Sequence, residues 1–204
     1  MSTKLLITSP IPPSVNHYTA HRVVMKGGRP LAIVYKTKEA VAYQTAFKKT
    51  VARAVKEQAW ITDLDNPRHI YVDAIFYMDK KHRDCNNAWK CLLDAITETQ
   101  LIWKDDDVVC ERVNKIVYDA DNPRVELCIH YVDYVGIFDT EEQLDSFKEK
   151  NCIDCKRYKR NCTLLRNAIE GRIQDEIDKF TCTKRTCLTT VQNDIKISYE
   201  ELFE

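Results

Sequence analysis

No apolar run in the chain approaches the roughly 18 residues that a membrane span needs. The opening MSTKLLITSPIPPS has one early lysine and a short apolar patch broken by Ser and Pro, without the long apolar stretch of a secretory leader. A cytoplasmic protein that does not contact membrane is therefore expected. Internal repeats and low-complexity stretches are missing as well, so a repeat array is not expected. Net charge is also absent, because 31 Lys and Arg offset 31 Asp and Glu.

The balance hides an uneven distribution. Residues 1–60 carry ten bases against two acids, Glu39 and Glu57; residues 61–147 carry nineteen acids against nine bases; residues 148–204 carry twelve bases and ten acids. A basic third beside an acidic third suits a metal-dependent nuclease, with cations for phosphates and carboxylates for the metal. Chance clustering on solvated faces would look the same. The 204 residues suffice for one buried core plus an appendage, or for two small domains.

Cysteine is plentiful. Of nine, Cys85, Cys91, Cys110 and Cys128 are scattered as structural thiols of an intracellular protein would be, whereas five fall within Cys152–Cys187. That asymmetry favours a local metal cluster over a disulfide framework.

Leu5–Ser9 reads as a strand ended by Pro10, Pro12 and Pro13. Arg22–Met25 and Leu31–Tyr35 read as strands of a hairpin whose tip, Lys26-Gly27-Gly28-Arg29-Pro30, is basic. Thr37 caps a predicted helix to about Gln58, with Tyr43, Phe47, Val51 and Val55 on one face. A turn at Asn66-Pro67 precedes a strand His69–Met78, and a helix is predicted over Asn86–Thr99. Strands Val108–Tyr118 and Arg124–Val132 follow, joined by the turn Asp119–Pro123. This order suggests an α+β fold, a small mixed sheet packed with two helices.

The character changes between 134 and 139, and the boundary is set between domains 1–135 and 136–204. Thr140 with Gln143 forms a capping box for a helix to Lys150. A helix Thr163–Phe180 is expected beyond the cysteines, with Leu165, Ile169, Ile173 and Ile177 on one face, so the C-terminal module reads as small, helical and metal-stapled. The tail from Leu188 reads as irregular, with a helical turn at Tyr199–Phe203.

The most informative stretch runs from His82 to Ile96. Asn86, Lys90 and Asp94 recur every fourth residue, which on one helix puts an amide, an ammonium and a carboxylate in a row. Asp84 stands just ahead of that helix, and Asp105, Asp106 and Asp107 lead into the next strand. Adjacent carboxylates repel unless solvent or a cation relieves them, and a hard Mg²⁺ or Mn²⁺ is one such cation. A solvated acidic turn with a surface Lys90–Asp94 pair is the plainer reading of either half taken alone.

Here the chain resembles the RusA-type Holliday-junction resolvases. That family carries Arg-Asp-x-Asp-Asn-x-x-Lys-x-x-x-Asp, then after a short gap a Trp or apolar residue and Asp-Asp before a strand. This sequence supplies Arg83, Asp84, Asn86, Asn87, Lys90 and Asp94, then Trp103, Asp105 and Asp106. Pro12-Pro13-Ser14-Val15-Asn16 is similar to the family's N-terminal Pro-x-Ser-x-Asn element. The resemblance spans roughly residues 5–132. It implies an α+β homodimer that cleaves branched DNA with Mg²⁺ in bacterial or phage recombination and repair. Asp84 and Asp106 match its metal-binding acids and Lys90 its active-site lysine.

Asn86 departs from that pattern, since it stands where the family usually has a second aspartate. Its carbonyl oxygen can still ligate, but one negative charge is lost, and Asp94 or Asp105 is the nearby carboxylate that would compensate. Chemically, metal ions on Asp84 and Asp106 would activate water and polarise phosphate, while Lys90 would offset developing charge. Lys26, Arg29, Lys48 and Lys49, with Asn16 and Arg83, are the candidate DNA contacts. No base-reading helix is evident, and recognition of a junction's shape needs none. His17, His21, His69, His82 and His130 are spread singly, and only His82 lies beside the acidic site in sequence.

The cysteine pattern is Cys152-x₂-Cys155-x₆-Cys162-x₁₉-Cys182-x₄-Cys187. A Cys-x₂-Cys knuckle with further cysteines suits a structural Zn²⁺, and four thiolates equally suit an iron–sulfur cluster. Cys152, Cys155 and Cys162 are expected ligands, with Cys182 as the fourth and Cys187 as its substitute. The basic loop Lys156–Arg160 with Tyr158 is placed to grip phosphate or stack a base, unless the metal merely staples a small fold. Two other readings remain: a non-catalytic zinc-stapled DNA-binding or regulatory protein on a nuclease scaffold, and a cysteine-rich redox protein.

Overall fold

The computed structural model describes residues 4–62, 64 and 68–186. The Asn66-Pro67 turn, Cys187 and the tail from Leu188 lie outside the described residues. Contacts divide the chain into two units, Met1–Val132 and Asp133–Glu204.

The first unit is built on a four-stranded mixed sheet. In chain order its strands are β1 (Leu5–Pro10), β4 (Ile70–Met78), β5 (Val109–Tyr118) and β6 (Arg124–Tyr131), arranged in space as β1-β6-β4-β5. β6 runs antiparallel to both β1 and β4, while β5 runs parallel to β4. The Asp119–Pro123 turn therefore closes no hairpin, because β4 is inserted between the two strands it joins. β4 alternates buried and half-buried residues along its whole length, as expected for a central strand with one face on a core. Register against β5 shifts between Ala74 and Ile75, which leaves Asn114 as an extra, bulged residue.

One face of this sheet is sealed by α2 (Lys38–Glu57) and α3 (Trp89–Thr97). Phe47, Val51, Leu92 and Ile96 pack there with Ile70, Val72, Phe76, Val125 and Ile129, each such buried side chain contributing on the order of 1.5–3 kcal/mol. Thr37 caps α2 by accepting from the Ala40 amide at 3.2 Å. The buried stripe is Ala40, Gln44, Phe47, Val51 and Ala54. It departs from the predicted 43–47–51–55 row, because a 3.6-residue turn drifts off a strict four-residue spacing; Tyr43 and Val55 pack at its margin. At the end of α2 the Gln58 amide accepts from the Leu6 N–H at 2.9 Å and donates to its carbonyl at 2.7 Å, which occupies part of the exposed edge of β1.

The basic hairpin is longer than expected, formed by β2 (Thr19–Lys26) and β3 (Arg29–Lys36). Its tip is just Gly27-Gly28, with φ of 59° and 75°, the pair of positive values that a two-residue hairpin turn requires. It is preceded by a single helical turn, α1 (Val15–Tyr18).

In the second unit, α4 (Glu141–Asn151) starts as predicted, with the Gln143 amide donating to Thr140 Oγ1 at 3.2 Å. The long helix Thr163–Phe180 does not form. α5 spans Thr163–Ile169 only, Gly171 adopts φ 86°, Ile173 is 92% exposed, and the chain turns into a two-residue hairpin, β7 (Ile177–Asp178) and β8 (Thr181–Cys182). The Gly171 amide bonds back to the Ala168 carbonyl, so a left-handed glycine ends the helix where apolar spacing alone suggested continuation. The module is thus not purely helical.

The other face of the sheet carries a charged network on β4, β5 and β6. Arg112 makes a two-pronged bond to Asp73 at 2.6 and 2.8 Å, His130 Nε2 lies 3.0 Å from the same carboxylate, and the guanidinium lies 3.5 Å from the centre of the Tyr71 ring. Burial pushes the Asp73 carboxyl up, but the Arg112 and His130 bonds outweigh it and hold the group below its ordinary value. A depressed carboxyl stabilises the fold above the ordinary Asp value of 3.8 and loses that contribution as pH falls through the lower folded value. Asp73→Asn should therefore lower unfolding free energy by about 1–3 kcal/mol near neutral pH. Urea titrations should show the deficit shrinking below pH 3.8; a deficit independent of pH would refute the charge-based account.

Candidate active site

The segment between β4 and α3 builds a cleft of about 310 Å³ with the loop that follows β1. Its walls include Pro12, Pro13, Ser14, His17, Glu39, Arg83, Asp84 and Asn87. The chain enters through His82, whose φ of 65° is left-handed, an uncommon conformation outside glycine. Asp84 then caps a 3₁₀ turn, Cys85–Ala88, by accepting from the Asn86 amide at 2.9 Å and from Asn87 Nδ2 at 3.1 Å. Asn86 is thus in the 3₁₀ turn and not on the α-helix with Lys90 and Asp94, so the single-helix row predicted for these residues is interrupted. Arg83 Nε stands 3.0 Å from Asp79 Oδ1 as an ion pair. The contact lacks hydrogen-bond geometry, since that buried oxygen has no hydrogen-bond partner among the described residues.

A second cluster lies where α3 meets the turn Asp106–Val108 that opens β5. α3 buries Trp89, Cys91, Leu92, Leu93, Ala95 and Ile96, which leaves Lys90 and Asp94 as its polar stripe. Lys90 Nζ donates to Asp94 Oδ1 at 2.9 Å, and Tyr18 Oη donates to Asp94 Oδ2 at 2.5 Å. The Asp94 bond is the main reason the Lys90 ammonium is held above its ordinary value. Burial and a bond to Asp105 push the Asp106 carboxyl up; Lys90 opposes this, while the charges on Asp94 and Asp105 add to it. Asp94 and Asp105 are therefore close enough to oppose the ionisation of Asp106, the electrostatic situation that a divalent cation relieves.

Tyr18 ties this cluster to the rest of the fold. Its oxygen accepts from Gln44 Nε2 at 3.2 Å; Lys36 Nζ reaches Gln44 Oε1 at 2.9 Å and Glu98 at 2.6 Å; Lys48 reaches Glu98 at 2.7 Å. The two lysines hold the Glu98 carboxyl below its usual range.

The structure brings Asp94, Asp105, Asp106 and Lys90 together and puts Asp84 in the neighbouring cleft, whose lining includes none of those four. Among the described residues no three His, Cys, Asp or Glu side chains stand in metal-holding geometry. The oxygen-only donors still suit a hard cation in kind. Of the candidate DNA contacts, Lys26, Arg29 and Lys49 are exposed without ion pairs among the described residues, Lys48 is engaged by Glu98, Arg83 by Asp79, and Asn16 is exposed on α1 outside the cleft lining. Sequence reasoning missed His17, Glu39 and Tyr18. It singled out His82 among the histidines, yet His17 is the one that lines the cleft. The available signal was position: His17 and Tyr18 directly follow the Pro-x-Ser-x-Asn element.

In the second unit, Cys152 ends α4, Cys162 precedes α5, Cys182 lies in β8, and Cys155 is buried between them. All four, Cys152, Cys155, Cys162 and Cys182, carry thiols outside any disulfide. The Cys152 thiol is pushed up to about 11 by burial and then by Cys162, Cys155 and Cys182, so the four are neighbours although none of their groupings has ligand geometry. Cys155 behaves oppositely. Burial would raise it, but amides of Thr186, Tyr158 and Arg157 directed at its sulfur bring it below its usual value, as they would stabilise a thiolate ligand.

The sequence model of the family described as Endodeoxyribonuclease RusA matches residues 10–130, a span that contains the cleft and the carboxylate cluster. No curated protein matches the chain in sequence. Tyr18→Phe should strip one partner each from Asp94 and Gln44 and cost about 1–3 kcal/mol of stability, read as a lower urea midpoint; an unchanged midpoint would show that the Tyr18 bonds contribute nothing net.

Proposed function

Because this chain belongs to the RusA family of endodeoxyribonucleases, we propose that it cuts four-way junctions or related branched DNA by Mg²⁺- or Mn²⁺-dependent phosphodiester hydrolysis. The observation that carries the metal dependence is the cluster of Asp94, Asp105 and Asp106 beside Lys90, in which burial and the neighbouring Asp105 and Asp94 push the Asp106 carboxyl up. Asp106, Asp105 and Asp94 on one side, with Asp84 and the Asn86 carbonyl on the other, are the donors that would hold the ion. When bound, such an ion lowers the pKa of a water and polarises a phosphoryl oxygen.

The chain's own groups orient and neutralise. Lys90, kept protonated by Asp94, supplies positive charge for the oxygens of the five-coordinate, phosphorane-like phosphorus or for the leaving group. Arg83, Asn87 and Ser14 line the cleft and offer donors to phosphate, while Lys26, Arg29 and Lys49 meet the backbone of the DNA arms. A homodimer accords with the apolar side chains exposed on the basic hairpin, Val23, Met25, Leu31 and Val34. No described helix is long and apolar enough to cross a membrane.

The C-terminal unit is proposed to hold a structural Zn²⁺ on Cys152, Cys155, Cys162 and Cys182, supported by the mutual influence of these thiols and the amides directed at Cys155. Metal analysis of the purified chain should find about one zinc per chain, reduced in Cys155→Ser; iron with visible absorbance would replace zinc by an iron–sulfur cluster, and a metal-free native chain would remove the proposal.

For the nuclease itself, a labelled four-way junction should be cut only with Mg²⁺ or Mn²⁺ and far better than linear duplex. Asp106→Asn should abolish cleavage, and Lys90→Ala should slow it about 10²–10³-fold. Tight junction binding without cutting under either metal would favour the non-catalytic reading that Asn86 keeps open.

A further inference from the structure

The C-terminal unit has a charge asymmetry that its near-neutral composition conceals. Lys156, Arg157, Lys159 and Arg160 surround Tyr158 in the turn that follows Cys155, and all are exposed. Some twenty-five residues later in the chain come Lys184 and Arg185, also exposed. Tertiary structure joins the two segments, since the Lys156 amide donates to the Thr186 carbonyl at 3.0 Å and amides from both segments are directed at the Cys155 sulfur.

None of these cations has an ion pair or side-chain hydrogen bond among the described residues. Of the five other described cations in the unit, three do: Lys148 pairs with Asp145, and Arg166 and Arg172 pair with Glu170, while Lys150 and Lys179 have no ion pair among the described residues. Neither segment contains an acid, and Asp154 stands just ahead of the first. An ordinary solvated face intersperses both signs. Here two stretches of like charge are held side by side by backbone bonds, around a tyrosine that is 42% exposed.

We propose that this face, Lys156–Arg160 with Lys184 and Arg185, is a second binding surface for the DNA phosphate backbone, separate from the nuclease unit. Its chemistry is that of a backbone grip. Several unpaired cations release counterions on meeting phosphates, and an exposed aromatic among them offers a stacking surface at a frayed or unpaired base. It reads no sequence and adds affinity to whatever the nuclease unit binds. DNA as the occupant rests on the function proposed above; the cationic surface itself does not.

The test is binding of a labelled four-way junction and of linear duplex to the full chain in Mg²⁺-free buffer, where cleavage plays no part. Two double variants, Lys159→Ala/Arg160→Ala and Lys184→Ala/Arg185→Ala, touch opposite halves of the face, and circular dichroism verifies that each is folded. Each should weaken binding to both DNAs about tenfold at moderate salt, and each should flatten the plot of log affinity against log salt by about 0.9 for every phosphate no longer neutralised. Cleavage by the saturated complex should stay at the wild-type rate. If both folded variants keep wild-type affinity and salt slope, the proposal is overturned. A wild-type chain that binds DNA through this face yet never cuts would sink the nuclease reading and leave this one standing. If one variant fails to fold, the other decides.

Discussion

The parallel pairing of β4 with β5 is the constraint on which the rest of the first unit depends. Parallel neighbours cannot be joined by a tight turn, so the chain must cross over between the end of one and the start of the next. α3 is that crossover, and its nearly all-round burial leaves room for only a narrow polar stripe. Lys90 and Asp94 occupy it. The residues leaving β4 become the cleft wall with Arg83 and Asp84, and those entering β5 become the Asp105–Asp106 turn. One topological necessity therefore yields both halves of the acidic constellation.

Burial creates the chemistry as much as the identity of the residues does. Asp106 and Lys90 are ordinary side chains in sequence. They acquire shifted acidities because α3 and the β5 turn bring carboxylates, an ammonium and a tyrosine hydroxyl into one partly dehydrated cluster. The chain from Tyr18 through Gln44, Lys36 and Glu98 to Lys48 links the basic hairpin and both core helices to that cluster. Lys48 consequently has an electrostatic role within the fold, where a bare reading of charge assigned it to DNA.

The C-terminal unit meets a different problem. Its buried apolar set is small, essentially Phe138, Leu144, Phe147, Leu165 and Ala168 with Cys152, and a core of that size needs reinforcement to be ordered. The Cys155 amide cradle and the Asn151 side chain, which donates to the Phe147 and Phe180 carbonyls and accepts from the Cys182 amide, supply some of it. Gly136 shows how tightly the chain closes here: a Cβ on it would lie 2.0 Å from the Ala168 carbonyl oxygen, so no other residue fits without backbone movement.

Local rules made most of the elements legible. Alternation along Ile70–Met78, the Thr37 and Thr140 caps, the Gly27-Gly28 turn and the spacing of the acidic motif are encoded within a few residues, and each has a physical cause acting over that range. The helix expected past Ile169 failed because apolar spacing is weak evidence against a glycine that can turn left-handed. The sequence by itself determined most of the elements of the first unit, the family and the kinds of donor available. Only the tertiary structure decided that β4 separates β5 from β6, that His17 rather than His82 lines the cleft, that Tyr18 holds Asp94, and that Lys184 and Arg185 join the loop after Cys155. Each of these depends on contacts between residues far apart in the chain, and no local propensity carries that information.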